Sequence, residues 1–182
     1  HHAFHIRRDE QHQAADHHGK PADAAVDVQH LGHVARLAAA GGARDQAGDE
    51  IARGQLGLED RFSELAIRQW SEKPEPITPK PMLFVDTDMY VMKVWCEYVF
   101  NNCHPFILEQ INERNYDLYL LCDIDLPWAA DEMREYPDEQ PRIELFTIYK
   151  ELLINQNTPW GIVSGTGAQR TANAIQLIEQ HL

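Results

Sequence analysis

From Asp49 onward, apolar positions fall into regular runs. Ile51, Leu56, Leu58, Phe62, Leu65 and Ala66 recur at near-helical spacing and predict a helix over about 49–71. Lys73 to Pro81 carries four prolines and predicts an extended linker, because proline removes a backbone donor and clashes within a helix. Met82 to Val85 is a short apolar run ending at Asp86, the pattern of a buried strand. Helical patterns follow over 89–101 and 105–114, the second opened by Pro105 at a first-turn position. Asp117 to Cys122 predicts a second strand, 142–156 a helix, Trp160 to Ser164 a third strand, and 168–181 a last helix. Short apolar strands separated by helices predict an α/β fold, a parallel sheet with crossover helices.

The first 48 residues do not share this pattern. Only Val26, Val28, Leu31, Val34 and Leu37 suggest a short helix, around 24–40. Eight of the ten histidines and twelve alanines lie there, with no Ser, Thr, Asn, Tyr, Trp, Cys or Met, whereas 49–182 holds 16 Ser, Thr and Asn. The expected organisation is an atypical Ala/His-rich segment at 1–48, disordered or translated out of frame, followed by an α/β domain at 49–182. The close pairs His17-His18 and His30/His33 lack the three spaced ligands of a catalytic zinc site.

Charge sharpens the division and excludes some functions. The net charge is −13, and all but one unit of it belongs to 49–182. Such a balance argues against a broad electrostatic grip on nucleic acid. No apolar run approaches the ~18 residues of a membrane span. Cys96, Cys103 and Cys122 have neither disulfide-framework nor zinc spacing, and suit reduced thiols in a cytoplasm.

In parallel sheets ligands bind beyond the carboxyl ends of the strands, which singles out three stretches. The first is Asp86-Thr87-Asp88. A carboxylate there can hold Mg²⁺ or take the proton of an attacking hydroxyl, while Asp88 is equally suited to cap the following helix. The second, Asp123 to Arg134, contains Asp125, Trp128, Asp131 and Arg134. An arginine on such a loop can neutralise a transferring phosphoryl group, and Trp128 can stack on a flat ring or pack the loop down. The third is the glycine-rich turn Ser164-Gly165-Thr166-Gly167 leading to Arg170, either a nucleotide-lining turn or a structural one capped by Thr166. A phosphate-binding loop of the form G-x-x-x-x-G-K-[ST] is absent: Gly19-Lys20 is followed by Pro21 and preceded by Ala14 where the first glycine belongs.

Together these stretches resemble the ribosylnicotinamide kinase domain of NadR-type proteins, P-loop kinases also labelled AAA-family ATPases of NAD metabolism. The resemblance is carried by Glu50–Gln55, Leu83–Asp88 with Lys93–Trp95, His104–Ile107, Tyr116–Leu118, Asp125–Trp128 with Asp131 and Arg134, and Glu144–Phe146. It implies a P-loop kinase-like parallel sheet flanked by helices, and transfer of the γ-phosphoryl of ATP or GTP, with Mg²⁺, to the 5′-hydroxyl of nicotinamide riboside. By position it implies Asp86, Asp88 and Arg134 as catalytic, with Asp86 also at the metal. Trp128, Asp125 and Asp131 would meet the nucleoside, and Arg142, Gly165, Thr166 and Arg170 the nucleotide. A lid is implied over about 125–142. Glu132 stands where the family usually has glycine, and no P-loop strand is recognisable upstream of Glu50. The sheet is therefore expected to lack that strand, residues 1–48 to be irregular, and kinase activity to be low. The alternatives are a non-catalytic nucleotide-sensing or partner-binding relative, or a P-loop kinase for another small metabolite.

Overall fold

The computed structural model describes residues 3–7, 44–72, 81–127 and 138–182. Its elements, in chain order, are β1 (Ala3–Arg7), α1 (Arg44–Ser71), β2 (Leu83–Val85), α2 (Met89–Phe100), α3 (Pro105–Glu113), β3 (Leu118–Cys122), α4 (Glu139–Ile154), β4 (Trp160–Val163) and α5 (Gly167–His181). From β2 onward every predicted strand and helix is present, most with ends within one or two residues of expectation. The exception is α4, which starts three residues early at Glu139. Helix α1 begins at Arg44 and runs through the compositional break at Gly48, so that break is not an element boundary. Gly48 packs so closely that a Cβ there would lie 3.1 Å from Cys96 Sγ on α2.

The sheet has strand order β2-β1-β3-β4. Strands β3 and β4 pair in parallel, with Tyr119 opposite Trp160 and Cys122 opposite Val163. Strand β1 is antiparallel to both of its neighbours, with His5 opposite Val85 and Phe4 opposite Leu120. Strands β2, β3 and β4 therefore all point the same way, as expected of a parallel set, and β1 is a single reversed strand between them. Of the segment expected to be irregular, residues 3–7 are thus a strand and 44–48 the start of a helix, and the rest of it lies outside the described residues. β1 (Ala-Phe-His-Ile-Arg) fills the gap one strand wide between β2 and β3, satisfying the backbone groups of both inner edges.

Strand β3 is buried along its length up to Leu121, and its residues alternate between two cores. Leu118 and Leu120 join Val163 beneath Ala174, Leu177 and Ile178 of α5. Tyr119 and Leu121 join Tyr116 and Leu153 on the opposite face, with Tyr90, Phe146 and Tyr149 packed around them. A strand covered on both faces reads as a continuous apolar run, which is why Leu118 to Cys122 was visible in the sequence. A third cluster, Ala52, Leu56, Met89, Met92, Cys96 and Ile107, joins α1 to α2 and α3. The face that α1 buries is Ala52, Leu56, Glu59 and Ser63, while Leu58 and Leu65 of the predicted apolar stripe are exposed. No helix among the described residues is long and apolar enough to cross a membrane.

Candidate functional site

The carboxyl ends of β2, β3 and β4 lie along one edge of the sheet, followed by Asp86, Asp123 and Ser164. With β1 intervening, the β2 and β3 ends stand about 10 Å apart, two strand spacings, whereas the β3 and β4 ends are neighbours. The edge thus has two parts of different chemistry.

At the β2 end, Asp86 is half-buried, with its Oδ1 fully so. Two residues on, Asp88 is 1% exposed and is the N-cap of α2, its Oδ1 accepting from the Val91 amide at 2.9 Å. The capping role anticipated for Asp88 is therefore realised. Four phenols lie within its electrostatic reach: Tyr90, Tyr116, Tyr119 and Tyr149. Burial first, and the Asp88 carboxylate second, push all four above the usual tyrosine range. The Tyr119 ring meets Tyr90 and Tyr116 edge-on, at 5.7 and 5.6 Å between centroids. Tyr116 donates its hydroxyl hydrogen to Glu59 Oε2 at 2.9 Å, and Arg114 Nη1 reaches Glu59 Oε1 at 3.1 Å. Arg114 also grips both carboxylate oxygens of Asp60, at 2.8 and 2.9 Å.

None of these partners of Asp88 was foreseen from the sequence. Glu59 was hidden because a carboxylate on a helix is ordinarily a solvated residue, and Tyr116 and Tyr119 because an aromatic in an apolar strand reads as core. Spacing gave a signal in one place only: Glu59 falls on the same helical face as Ala52, Leu56 and Ser63.

At the β3 and β4 ends the polar groups are tied to one another. The Gly165 amide donates to Asp125 Oδ2, and Arg170 Nη1 donates to Asp125 Oδ1 at 2.6 Å. Arg170 also donates to the Gly165 carbonyl through Nη1 and to the Asp123 carbonyl through Nη2, both at 2.9 Å. Asn173 Nδ2 donates to the Ser164 carbonyl at 3.0 Å. The Gly165 amide first, and Arg170 second, hold the Asp125 carboxyl below the usual carboxylate range. Burial pushes the Cys122 thiol up, against a hydrogen bond with Arg170 that pulls it down, and Asp86 adds a further upward push. That last influence shows the β2 and β3 ends within electrostatic reach of one another.

Gly165 has φ +94°, where a side chain is strained, and Gly167 has φ +50°. Thr166 occupies the N-cap position of α5 but makes no side-chain capping bond. Arg142 lies in the first turn of α4, and its buried Nε has no hydrogen-bond partner among the described residues. Trp128, Asp131 and Arg134 lie outside the described residues, as does Gly19-Lys20. Among the described residues no group of three or more His, Cys, Asp or Glu is placed to hold a metal ion.

Comparison with known proteins agrees with this architecture. The sequence model of a family described as AAA domain matches residues 23–170, beginning upstream of the compositional break. The trifunctional NAD biosynthesis/regulator protein NadR of Escherichia coli K12 is 31% identical over 74 residues, 41% of this chain and 18% of that protein's length. The protein of the same description from Salmonella typhimurium LT2 is 30% identical over 74 residues, with the same shares of each chain. The chain thus spans less than a fifth of the length of these curated relatives. The similarity bears out the resemblance read from the motifs, and the helix-flanked sheet bears out the expected P-loop class. With well over half of its residues matched, the chain belongs to the AAA domain family.

Proposed function

We propose that this chain is a small-molecule kinase-like domain of NAD metabolism, whose acceptor is the 5′-hydroxyl of nicotinamide riboside and whose product is nicotinamide mononucleotide. The observation that carries the reading is Asp86: a half-buried carboxylate at the carboxyl end of β2, inside the stretch matched by the AAA domain family, in a chain similar over 41% of its length to an NAD biosynthesis/regulator protein. Phosphoryl transfer asks the protein mainly for positioning and charge neutralisation, and a strand-end carboxylate serves both.

When bound, ATP or GTP with Mg²⁺ supplies the transferable phosphoryl group and offsets its charge. The residues fit such an ion in a limited way. Asp86 offers a hard oxygen ligand at a partly water-excluded position, and Mg²⁺ commonly takes only one or two carboxylates beside phosphates and water. Asp86 also suits the part of proton acceptor from the riboside hydroxyl. Asp88, sealed and capping α2, supports Asp86 through the helix start and does not meet substrate. Arg142, with Arg134, supplies fixed positive charge for the phosphates, and Trp128 and Asp131 face the nucleoside.

Turnover by this chain is expected to be slow, because its 182 residues contain no G-x-x-x-x-G-K-[ST] to cradle the phosphates. The test is nicotinamide riboside binding by calorimetry, alongside a transfer assay with ATP or GTP and Mg²⁺. Binding of the riboside, weakened in D86N, with transfer well below the roughly 1–100 s⁻¹ of ordinary kinases, is the expected result. No binding of the riboside rejects the acceptor, and transfer at an ordinary kinase rate rejects the impairment.

A further inference from the structure

We infer that Asp125 and Arg170 are positioning residues, a pair that fixes the turn Ser164–Gly167 against the loop Asp123–Asp125 and itself touches no nucleotide. The inference rests on reading this edge as a nucleotide site. It assigns the two residues a part different from direct contact with nucleoside or phosphate.

The geometry is that of a staple. The parallel ladder joining β3 to β4 ends with the Asp123 amide donating to the Val163 carbonyl at 2.9 Å. Beyond that bond, the chains that continue from the two strands are held together by side chains 40 to 47 residues apart in sequence. Arg170 spans the junction. Its Nη1 serves Asp125 and the Gly165 carbonyl, and its Nη2 serves the Asp123 carbonyl. Its side chain is 16% exposed. A guanidinium has five N–H donors in a fixed fork, and here the fork is matched to acceptors on both loops. Swinging it toward a phosphate would strand two backbone carbonyls and a carboxylate, each at a desolvation cost.

Asp125 is committed in the same way. One oxygen takes the Gly165 amide and the other takes Arg170. The amide it takes belongs to a residue at φ +94°, so the unusual backbone of Gly165 and the Asp125 carboxylate define one another. Asn173, one turn further along α5 than Arg170, holds the Ser164 carbonyl and completes the clamp. The pair thereby sets where the turn's backbone and the start of α5 lie relative to the β3 end.

The experiment is a double-mutant cycle on the full 182-residue chain, read by ¹⁵N NMR titration with ATP and Mg²⁺, which suits weak binding and reports folding in the same spectra. D125N and R170M are each expected to raise the ATP Kd about tenfold, with the double variant no weaker than the worse single. R170K, which keeps the charge but not the fork, is expected to fall between wild type and R170M. Nicotinamide riboside affinity is expected to stay within about twofold in all variants, which a general loss of structure would not allow. Losses that multiply in the double variant, or a loss with R170M while D125N is silent, make Arg170 a direct ligand and overturn the inference. Amide exchange at Gly165 checks the clamp without nucleotide: slow in wild type and fast in D125N is expected, and fast in both overturns it. A wild-type chain that keeps a protected Gly165 amide but binds no ATP sinks the nucleotide reading of this edge, a failure distinct from that of the pair.

Discussion

At the ends of β3 and β4, Asp125 is partly exposed, bound to a guanidinium and a backbone amide, and held in its charged form more firmly than an ordinary carboxylate. At the end of β2, Asp88 is sealed from water, and four phenols within its electrostatic reach are pushed toward their neutral form, by burial first and by its charge second. Both arrangements fix an aspartate at a strand end, by different means. The first uses a partner charge near solvent, where each bond contributes modestly. The second removes water and relies on a helix cap and packed rings, where loss of one member is felt by the whole cluster. Of the strand-end aspartates, Asp88 is thus a helix cap and Asp125 a bridge partner, whereas Asp86 and Asp123 have neither part.

The contrast can be broken most forcefully at Tyr119. Tyr119→Ala removes a ring packed against two others and is expected to cost about 3–5 kcal/mol in urea unfolding. Asp88→Ala takes away the α2 cap and is expected to cost about 1–2 kcal/mol, while Asp86→Asn is expected to stay within about 0.5 kcal/mol. Equal losses for Asp86 and Asp88 would erase the distinction between them. On the other side, Gly165→Ala forces a side chain onto φ +94° and is expected to cost about 1 kcal/mol, with a faster-exchanging Asp125–Gly165 contact.

The smallest effects lie in pH dependence, and they have opposite senses. The depressed Asp125 carboxyl contributes stability that is present above its unfolded value of about 3.9 and is lost as pH falls through the folded value. The raised phenols retain their protons in the folded state after the unfolded chain has lost them, so stability falls as pH rises above about 10. Denaturant midpoints measured across pH should show a shallower acid limb in D125N and a shallower alkaline limb in Tyr149→Phe. A D125N profile that matches wild type in acid would show that the bridge is not populated in solution.

Much of the fold was legible because burial imposes period on sequence. Leu118 to Cys122 is apolar on both faces and reads unmistakably as an inner strand, and Pro105 marks a helix start through its missing donor. The buried face of α1 was misread because two of its positions, Glu59 and Ser63, are polar. A polar residue at a core position announces itself only through its partner, and Glu59 finds Tyr116 fifty-seven residues away. The Asp125–Arg170 bridge was hidden for the same reason: each residue stood out as a charge after a strand, but nothing local says they meet. β1 was missed because it is only five residues, Ala-Phe-His-Ile-Arg, set in a stretch otherwise lacking hydrophobic period.

The reversed strand gives the sheet an order of assembly. β3 and β4 can pair once the chain between them has formed one helix, but β1 must find Val85 and Leu120 from near the other end of the sequence. Chain length adds little to the final stability of such a closure, since each doubling of a loop costs only about 0.6 kcal/mol, but it slows the search. Until that search succeeds, β2 and β3 present two open edges facing one slot, a template that any extended segment can enter, including the same segment of a neighbouring chain. In the folded sheet β1 closes both of those edges at once, so one strand protects two neighbours from pairing elsewhere.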